Sequence, residues 1–561
     1  MNICSKKMNP IVICIRMGNT NSSISYINEN GKVIIITSQE GERQIPIAIS
    51  YLDGEEYHGM QAKFQLVRNS RNTIIHYKKF LGEKMESIDL IEEEYSAQPS
   101  ILNNQLVYKI TSVSSEGELI EQMITLEEVM ISHLKYLKQC AIEYIGKSIM
   151  DVVFTIPTDF STTQIEILED CAKKAGLNVL QFIKESIAQV LAYSEEKEYL
   201  ESIDRIVVVA DFGEIRSDAT VIAFRNGMYT ILATQSNEKL GGKLLDECLV
   251  NHFLKEFQKK YNLDPSKDAK AMAKLRIECE ATKKSLSSNV FSTISVECMF
   301  NGYDFFSNIN RIRFEILGKH IFDEMVSLVK NVIKKAQLEE FDIDELILAG
   351  GTSHIPKISN MFSYIFPEKT LIRSQSLRTS RLSPSDIESY GAAIHVSLIS
   401  SFTKSEIDNL MLPEITSIPH LLNPIGVVVK SDDDTAFIPM IHSYTPVPVQ
   451  KSIILHKPSD LDDFHIIIYE AIGHIHSKKT NLLSQNTLSD TDDSSIHESS
   501  RILTPSKKIA ECILQNITSS AKIKLTIQVD SNLKTTITAT PLSPLRGPLL
   551  KGEILALQKN I

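Results

Sequence analysis

Residues 205–224 read RIVVVADFGEIRSDATVIAF, a stretch that joins two strand patterns through a short turn. The apolar run Ile206–Ala210 predicts a buried strand, and Asp211 and Gly213 follow at its end. A carboxylate and a glycine at a strand-to-turn junction are typical of a hairpin that binds phosphate or a metal-phosphate group. The turn, however, contains Glu214-Ile215-Arg216, where an open and glycine-rich loop is expected. The stretch therefore predicts a nucleotide site that is altered where chemistry would take place.

A second stretch has the same shape. Residues 11–27, IVICIRMGNTNSSISYI, also run from a strand through a small, polar turn into another strand. An internal duplication would give a two-lobed fold in which paired hairpins hold one ligand from opposite sides. Two unrelated hairpins would produce the same pattern, so both interpretations remain open at this point.

Composition narrows the class of protein. The chain has 561 residues, of which 43% are hydrophobic, so it can bury several domain-sized cores. The net charge of −11 argues against a general or specific nucleic-acid-binding surface. None of the eight cysteines forms a C-x-x-C pair, which favours reduced thiols. The apolar run Pro10–Ile15 is too short for a signal peptide, so we expect a cytoplasmic protein without a membrane segment.

The first 400 residues alternate strand and helix patterns, which predicts an α/β domain over residues 1–400. Thr125 with Glu128, and Ser161 with Gln164, are capping-box patterns that begin two of the helices, and Gly146 is a plausible end for the first. Further strands are predicted at Ile11–Ile15, Val33–Thr37, Val152–Ile156, Met228–Ala233 and Leu346–Leu348.

The pattern of the sequence changes after residue 400. Residues 401–423 are polar and contain two prolines, as a linker between domains would. Short β-rich runs then predict a small antiparallel β-sandwich over residues 424–561, with a mobile acidic loop at 480–500. No long helical segment follows, so we expect no helical lid over the sandwich.

Several segments, in this order, resemble the heat shock protein 70 family across residues 10–400, and the sandwich resembles the peptide-binding domain of that family more weakly. The segments are IRMGNTNSS (15–23), NTIIHYKKFLG (72–82), VVFTIPTDFS (152–161), GLNVLQFIKESIAQVLAY (176–193), the hairpin above with LGGKLLD (240–246), LRIECEATKKSLSS (275–288) and LILAGGTSHIPKI (346–358). The resemblance implies a two-lobed, actin-like nucleotide-binding domain that takes ATP.

The resemblance also implies which residues bind the nucleotide. Glu280, Lys283, Lys284 and Ser287 share one helix face, which in the family contacts adenine and ribose. The remaining expected nucleotide-binding residues are Gly18, Asn19, Thr20, Asn21, Lys78, Gly213, Glu214, Arg216, Gly241, Gly242, Gly350, Gly351, Thr352 and Ser353.

The departures from the family concern hydrolysis. Arg16 stands where the family has an aspartate that organises the hydrated metal, and Arg216 stands where it has a threonine. The two glycines before that threonine are Glu214 and Ile215, which should crowd the γ-phosphate. Four family-type residues remain, namely Lys78, Glu185, Asp211 and Asp218. We therefore expect no complete catalytic set and no protein metal site.

Two fates are open for the arginines. Arg16 or Arg216 could partly replace the charge of the metal, so that ATP binds with weak Mg²⁺ dependence. Alternatively, both could turn to solvent or pair with Glu214 or Asp218.

The closest likeness is to the atypical branch of the family that pairs with the J-protein zuotin in the fungal ribosome-associated complex. It is carried by GNTNSSISYIN, NTII, the RSDA turn and NGMYTILAT. The branch implies a J-protein partner, contact with the ribosome through that partner, and work beside a catalytically active heat shock protein 70 that folds nascent polypeptides. The alternative is an active, ATP-hydrolysing chaperone that binds unfolded polypeptide itself.

Overall fold

The computed structural model describes residues 11–83, 96–103, 105–113, 119–194, 205–225, 228–399, 419–430, 435–456, 464–480, 496–514, 522–543 and 550–554. The chain divides into two compact units, Met1–Thr416 and Ser417–Ile561. Most of the predicted linker 401–423 lies outside the described residues. Each helix in the described part of the chain is too short or too polar to span a lipid bilayer.

The strands of the first unit are β1 (Val12–Met17), β2 (Asn21–Ile27), β3 (Val33–Ile36), β4 (Ile45–Pro46), β5 (Ala48–Leu52), β6 (Glu55–His58), β7 (Thr73–Ile75), β8 (Pro99–Leu102), β9 (Gln105–Val113), β10 (Leu119–Thr125), β11 (Asp151–Ile156), β12 (Asn178–Lys184), β13 (Arg205–Phe212), β14 (Ser217–Arg225), β15 (Met228–Asn237), β16 (Phe291–Phe300), β17 (Tyr303–Asn310), β18 (Glu345–Ala349) and β19 (Leu371–Arg373).

The α-helices of this unit are α1 (Gly59–Gln65), α2 (Leu126–Ile145), α3 (Thr162–Lys174), α4 (Glu185–Leu191), α5 (Gly242–Tyr261), α6 (Ala269–Ser288), α7 (Arg311–Leu317), α8 (Lys319–Lys335), α9 (Pro356–Ile365) and α10 (Ile387–Ile399). The predicted capping boxes of α2 and α3 are both formed, and Gly146 ends α2 in the left-handed conformation at φ 73°.

Two central sheets share one strand order, and we call the halves built on them lobe I and lobe II. The lobe I sheet runs β12-β11-β1-β2-β3, and the lobe II sheet runs β19-β18-β13-β14-β15. In each, the first strand of a hairpin pairs antiparallel with its neighbour on one side and parallel with a later strand on the other. The predicted duplication is therefore confirmed at the level of topology.

Helices α4 and α10 lie against both sheets. Ala188 and Ala392 pack with Val12 of lobe I, whereas Val190 and Ile387 pack with strands of lobe II. The two helices approach so closely at Gly391 that an added Cβ would lie 1.7 Å from the carbonyl oxygen of Ala188. This packing brings the N-termini of both helices to the ends of β1 and β13.

The second unit is an antiparallel β-structure. Its strands are β20 (Ile425–Lys430), β21 (Thr435–Ile441), β22 (Val449–His456), β23 (Phe464–Thr480), β24 (Ile496–Leu514), β25 (Lys522–Val529), β26 (Thr535–Ser543) and β27 (Leu550–Ile554). They form two four-stranded sheets, β21-β20-β23-β24 and β22-β25-β26-β27, around a shared apolar core.

The hairpin β23–β24 is longer than the sequence predicted. Backbone pairing continues as far as Thr480 with Ile496, so Thr480 and residues 496–500 of the predicted acidic loop belong to strands. The prediction was wrong there because backbone hydrogen bonds can extend an antiparallel ladder through polar residues that carry no apolar pattern. Residues 481–495 of that loop lie outside the described residues.

Candidate functional site

A cleft of about 680 Å³ opens between the lobes of the first unit. Residues from both hairpin turns, α6 and the segment after β18 line it. Among the predicted nucleotide-binding residues, the cleft lining contains Thr20, Asn21, Gly213, Glu214, Glu280, Lys283, Lys284, Ser287, Gly351 and Thr352, and Arg16 also contributes. The structure thus brings together segments that lie more than 300 residues apart in the chain.

Helix α6 presents its predicted face to the cleft, and the charges on it already have partners. Glu280 accepts from Lys63 of lobe I at 2.7 Å and also pairs with Lys284 at 2.7 Å, one turn along. Lys283 donates to Asp246 of α5 at 2.5 Å. Burial raises the pKa of the Asp246 carboxyl to about 7 despite that contact. Ser287 completes the face by donating to the carbonyl of Lys283 at 3.4 Å.

The second hairpin turn is bonded to the glycine pair at the start of α5. The N–H of Gly242 donates to the carbonyl of Gly213 at 3.0 Å, and the N–H of Lys243 donates to the carbonyl of Glu214 at 2.8 Å. The approach is close, because a Cβ on Gly241 would lie 2.3 Å from the Glu214 oxygen. Helix N-termini commonly bind anions, but these two donors already have carbonyl partners.

The segment after β18 holds the turn from the other side. Thr352 donates from Oγ1 to the Gly213 carbonyl at 2.7 Å. Gly350 has φ +82°, and a Cβ there would lie 2.4 Å from Oδ1 of Asp211, so only glycine fits. Ser353 turns back and donates to the carbonyl of Ala349 at 2.5 Å.

The first hairpin turn contains Gly18, Asn19 and Thr20. The N–H of Gly18 donates to the carbonyl of Asn21 at 3.0 Å, which closes the turn. Thr20 and Asn21 line the cleft, whereas Gly18 lies further in, near the guanidinium of Arg16.

Arg16 does not take the second predicted course, because it pairs neither with Glu214 nor with Asp218. Its Nε donates to Oε2 of Glu388 on α10 at 2.7 Å, and the Glu388 side chain is only 3% exposed. Burial by itself would lower the pKa of Arg16, but the charges of Glu388, Asp211 and Glu185 outweigh burial and raise it. The guanidinium is therefore a permanent buried cation beside three carboxylates.

Lys78 and Glu185 form a buried pair beside Arg16. Lys78 Nζ lies 3.8 Å from Oε1 of Glu185 and also donates to the carbonyl of Met17. Burial lowers the pKa of Lys78 and raises the pKa of Glu185 to about 8. Burial thus disfavours the charged form of each partner.

Arg216 follows the predicted pairing with Asp218 and adds two further carboxylates. Its Nε donates to Asp218 at 2.8 Å, one terminal nitrogen donates to Asp159 at 2.6 Å, and the other donates to Glu238. Burial would lower the pKa of Arg216, yet these carboxylates raise it. Arg216 is not among the residues that line the cleft. The arrangement directs its charge toward the protein instead of a phosphate.

A divalent cation, which this kind of nucleotide site usually takes, does not fit the observed arrangement well. Glu185, Asp211 and Glu388 offer oxygen atoms within 4.8 Å of one another. Arg16 already pairs with Glu388 there, and Gln189 donates to Asp211. Burial raises the pKa of both Glu185 and Asp211, which disfavours the anionic forms that a hard cation prefers.

Sequence reasoning missed the partners of these charges. Asp159 and Asp246 lie in segments that carry the resemblance but were not singled out, and Glu238 and Glu388 lie outside those segments. Glu388 alone gave a signal, because it is the one acidic residue in the otherwise apolar run IESYGAAIHVSLI of α10. A lone acid on a buried helix predicts a partner, although the sequence does not say which one.

Comparisons with known proteins agree along the length of the chain. Residues 12–495 match the model of a family described as Hsp70 protein. Ribosome-associated complex subunit SSZ1 of Saccharomyces cerevisiae is 37% identical over 556 residues, which cover 98% of this chain and 100% of that protein. A heat shock protein 70 homolog of Schizosaccharomyces pombe is 37% identical over 536 residues, covering 94% and 93%. A heat shock 70 kDa protein of Trichophyton rubrum is 29% identical over 472 residues, covering 84% and 69%.

Proposed function

Because this chain belongs to the heat shock protein 70 family, we propose that it is a nucleotide-holding, non-hydrolysing subunit of a ribosome-associated complex. The full-length likeness to a protein named as a subunit of that complex supports the assignment. Membership of the family implies nucleotide binding, and we assign it to the cleft between the lobes.

The observation that carries the loss of hydrolysis is the pairing of both arginines. Phosphoryl transfer needs a metal across the phosphates, an oriented water and stabilisation of the developing charge. Arg16 and Arg216 replace two groups that serve these ends in the family, and both are bonded to carboxylates of the protein. Loss of one positioned group typically costs about 10²–10³-fold in rate.

Binding can persist without turnover. The α6 face, the Gly350–Ser353 segment and the first hairpin turn supply polar and backbone groups around the cleft, as the family requires for ATP. We propose ATP as the ligand and only weak dependence on Mg²⁺, since a guanidinium already balances the carboxylates at the inner end of the cleft. Calorimetric titration with ATP, with and without chelator, checks this, and loss of all binding in chelator would refute it.

The proposed partners follow from the relative that is named as a subunit of the ribosome-associated complex. We propose a J-protein of the zuotin type as the stable partner, the ribosome as a site reached through that J-protein, and a cytoplasmic, ribosome-associated location. A separate, catalytically active heat shock protein 70 would act on nascent polypeptides. In the described residues of the second unit, 424–561 in the proposed division, β24 and β27 lie at the ends of their sheets, which suits strand addition by a partner segment.

Two experiments test the proposal. Purified chain should retain ATP, and single-turnover assays should find that ATP intact over hours; steady turnover would support an active chaperone instead. Sedimentation with ribosomes should require the J-protein. Sedimentation of the chain alone to the same extent would contradict indirect attachment.

A further inference from the structure

Three carboxylates from three different elements converge at the inner end of the cleft. Glu185 begins α4, Asp211 lies near the end of β13, and Glu388 lies in the first turn of α10. One oxygen atom of each lies within 4.8 Å of the others, a separation that a single cation could bridge. An acidic cluster alone would not mark a site, because exposed acids often gather without a ligand.

A second observation concerns Glu388 itself. Its side chain is 3% exposed, Oε2 accepts from Arg16, and Oε1 has no hydrogen-bond partner among the described residues. A buried carboxylate oxygen without a donor is costly, so a cation or a donor is expected to balance it. The position therefore has the chemistry of a ligand that is only half used.

Arg16 supplies the positive charge that such a cluster needs. Its guanidinium interacts electrostatically with Glu388, Asp211 and Glu185, in that order of strength. Lys78 pairs with Glu185, and Gln189 donates to Asp211. A divalent ion would have to share this buried space with a guanidinium, and the repulsion between the two cations is weakly screened there.

We propose that Arg16 is the resident cation of a three-carboxylate site, that Glu388 anchors it there, and that removal of the guanidinium opens this site to a divalent metal ion. The inference rests on the proposed function, because it concerns the same cleft, and it names the residue that excludes the metal. The divalent metal ion that is usual in the family therefore does not fit this chain, because an arginine held by a glutamate on α10 occupies its place.

The test uses the full chain freed of nucleotide, with Mn²⁺ as the only probe and electron paramagnetic resonance to count free ion. We expect Arg16→Ala to bind one Mn²⁺ about tenfold or more tightly than wild type. The double variant Arg16→Ala/Glu388→Gln, which lacks both the cation and its anchor, should bind about as weakly as wild type. Because nucleotide and ribosomes are absent, failure here leaves the proposed function to its own tests.

Each outcome is decisive. Equal Mn²⁺ affinity in wild type and Arg16→Ala would overturn the proposal, and tight binding by the double variant would remove Glu388 from the site. Circular dichroism reports whether Arg16→Ala folds. If it does not fold alone, we expect excess MnCl₂ to restore the fold, since a ligand that binds only the folded state stabilises it; no recovery would equally overturn the proposal.

Discussion

The two hairpins occupy equivalent positions in sheets of identical strand order, yet they hold their arginines in different ways. Arg16 of lobe I has one close carboxylate partner, Glu388, in the interior. Arg216 of lobe II contacts three carboxylates, and two of these, Asp159 and Glu238, are 35% and 62% exposed. The two arginine side chains are equally buried, at 15% and 14% exposed, so the difference between the lobes lies in how far water reaches their carboxylate partners. Substitution of Arg16 and substitution of Arg216 should therefore have different effects on ATP hydrolysis and on the stability of the chain.

The largest expected effect comes from reverting both lobes. In lobe I, Arg16→Asp restores the family residue and is combined with Glu388→Gln. In lobe II, Glu214→Gly, Ile215→Gly and Arg216→Thr restore the family residues. Neither reversal alone should raise single-turnover ATP hydrolysis, because each leaves one half of the reacting geometry blocked. Together they should raise it by about 10³-fold in Mg²⁺. Appreciable turnover after the lobe II reversal alone would show that Arg16 is not inhibitory.

A comparison of stability separates the role of Arg16 from that of Arg216. Arg16→Met leaves Glu388 buried without its cation and should lower the free energy of unfolding by about 3–5 kcal/mol. Arg216→Met leaves carboxylates that water can reach and should cost about 1 kcal/mol. Urea unfolding of the two variants measures the difference. Equal losses would mean that the two environments are alike.

The buried pair of Lys283 and Asp246 in lobe II should make the stability of the chain depend on pH. Burial raises the pKa of Asp246 to about 7 in the folded chain, so the folded state holds a proton there that the unfolded state has released. The contribution of Asp246 to stability therefore falls as pH rises from 6 to 8, by about 1 kcal/mol. Urea unfolding at both pH values should show that extra loss in wild type relative to Asp246→Asn. Parallel pH profiles would contradict it.

The last comparison distinguishes contacts across the lobes from contacts within one. Lys63 reaches Glu280 from lobe I, whereas Lys284 pairs with the same carboxylate from one turn along α6 and is 70% exposed. Lys63→Met should speed nucleotide release by about tenfold, since a part-buried charged hydrogen bond contributes about 1.5 kcal/mol or more. Lys284→Met should change the rate by about twofold or less. Stopped-flow release of a fluorescent ATP analogue gives both rates.

The sequence predicted the fold well where patterns are local. Capping boxes at Thr125 and Ser161 and the strand–turn–strand shape of both hairpins depend on neighbouring residues, and the structure confirms them. The length of β23–β24 was missed because a ladder through polar residues leaves no periodic pattern.

The candidate site could be predicted only in part. Many residues that line the cleft come from the hairpin turns, the segment after β18 and one face of α6, whose spacing is visible in the sequence, whereas Lys63 and Phe64 of α1 were not predicted. The partner of Arg16 is 372 positions away and was not visible, because a single charged pair leaves no local trace. The pairing of Arg216 with Asp218 was among the predicted alternatives, and the two residues lie only two positions apart in the sequence.

The glycine at position 350 has a consequence for how such chains are recognised. Any side chain there would collide with Asp211 and with the carbonyl of Phe212, whatever the cleft binds. The same holds at Gly241, whose neighbour is the Glu214 carbonyl. Steric requirements can therefore preserve a phosphate-loop signature whether or not the site hydrolyses a nucleotide. Motif survival then records ancestry and packing, and turnover has to be established at the bench.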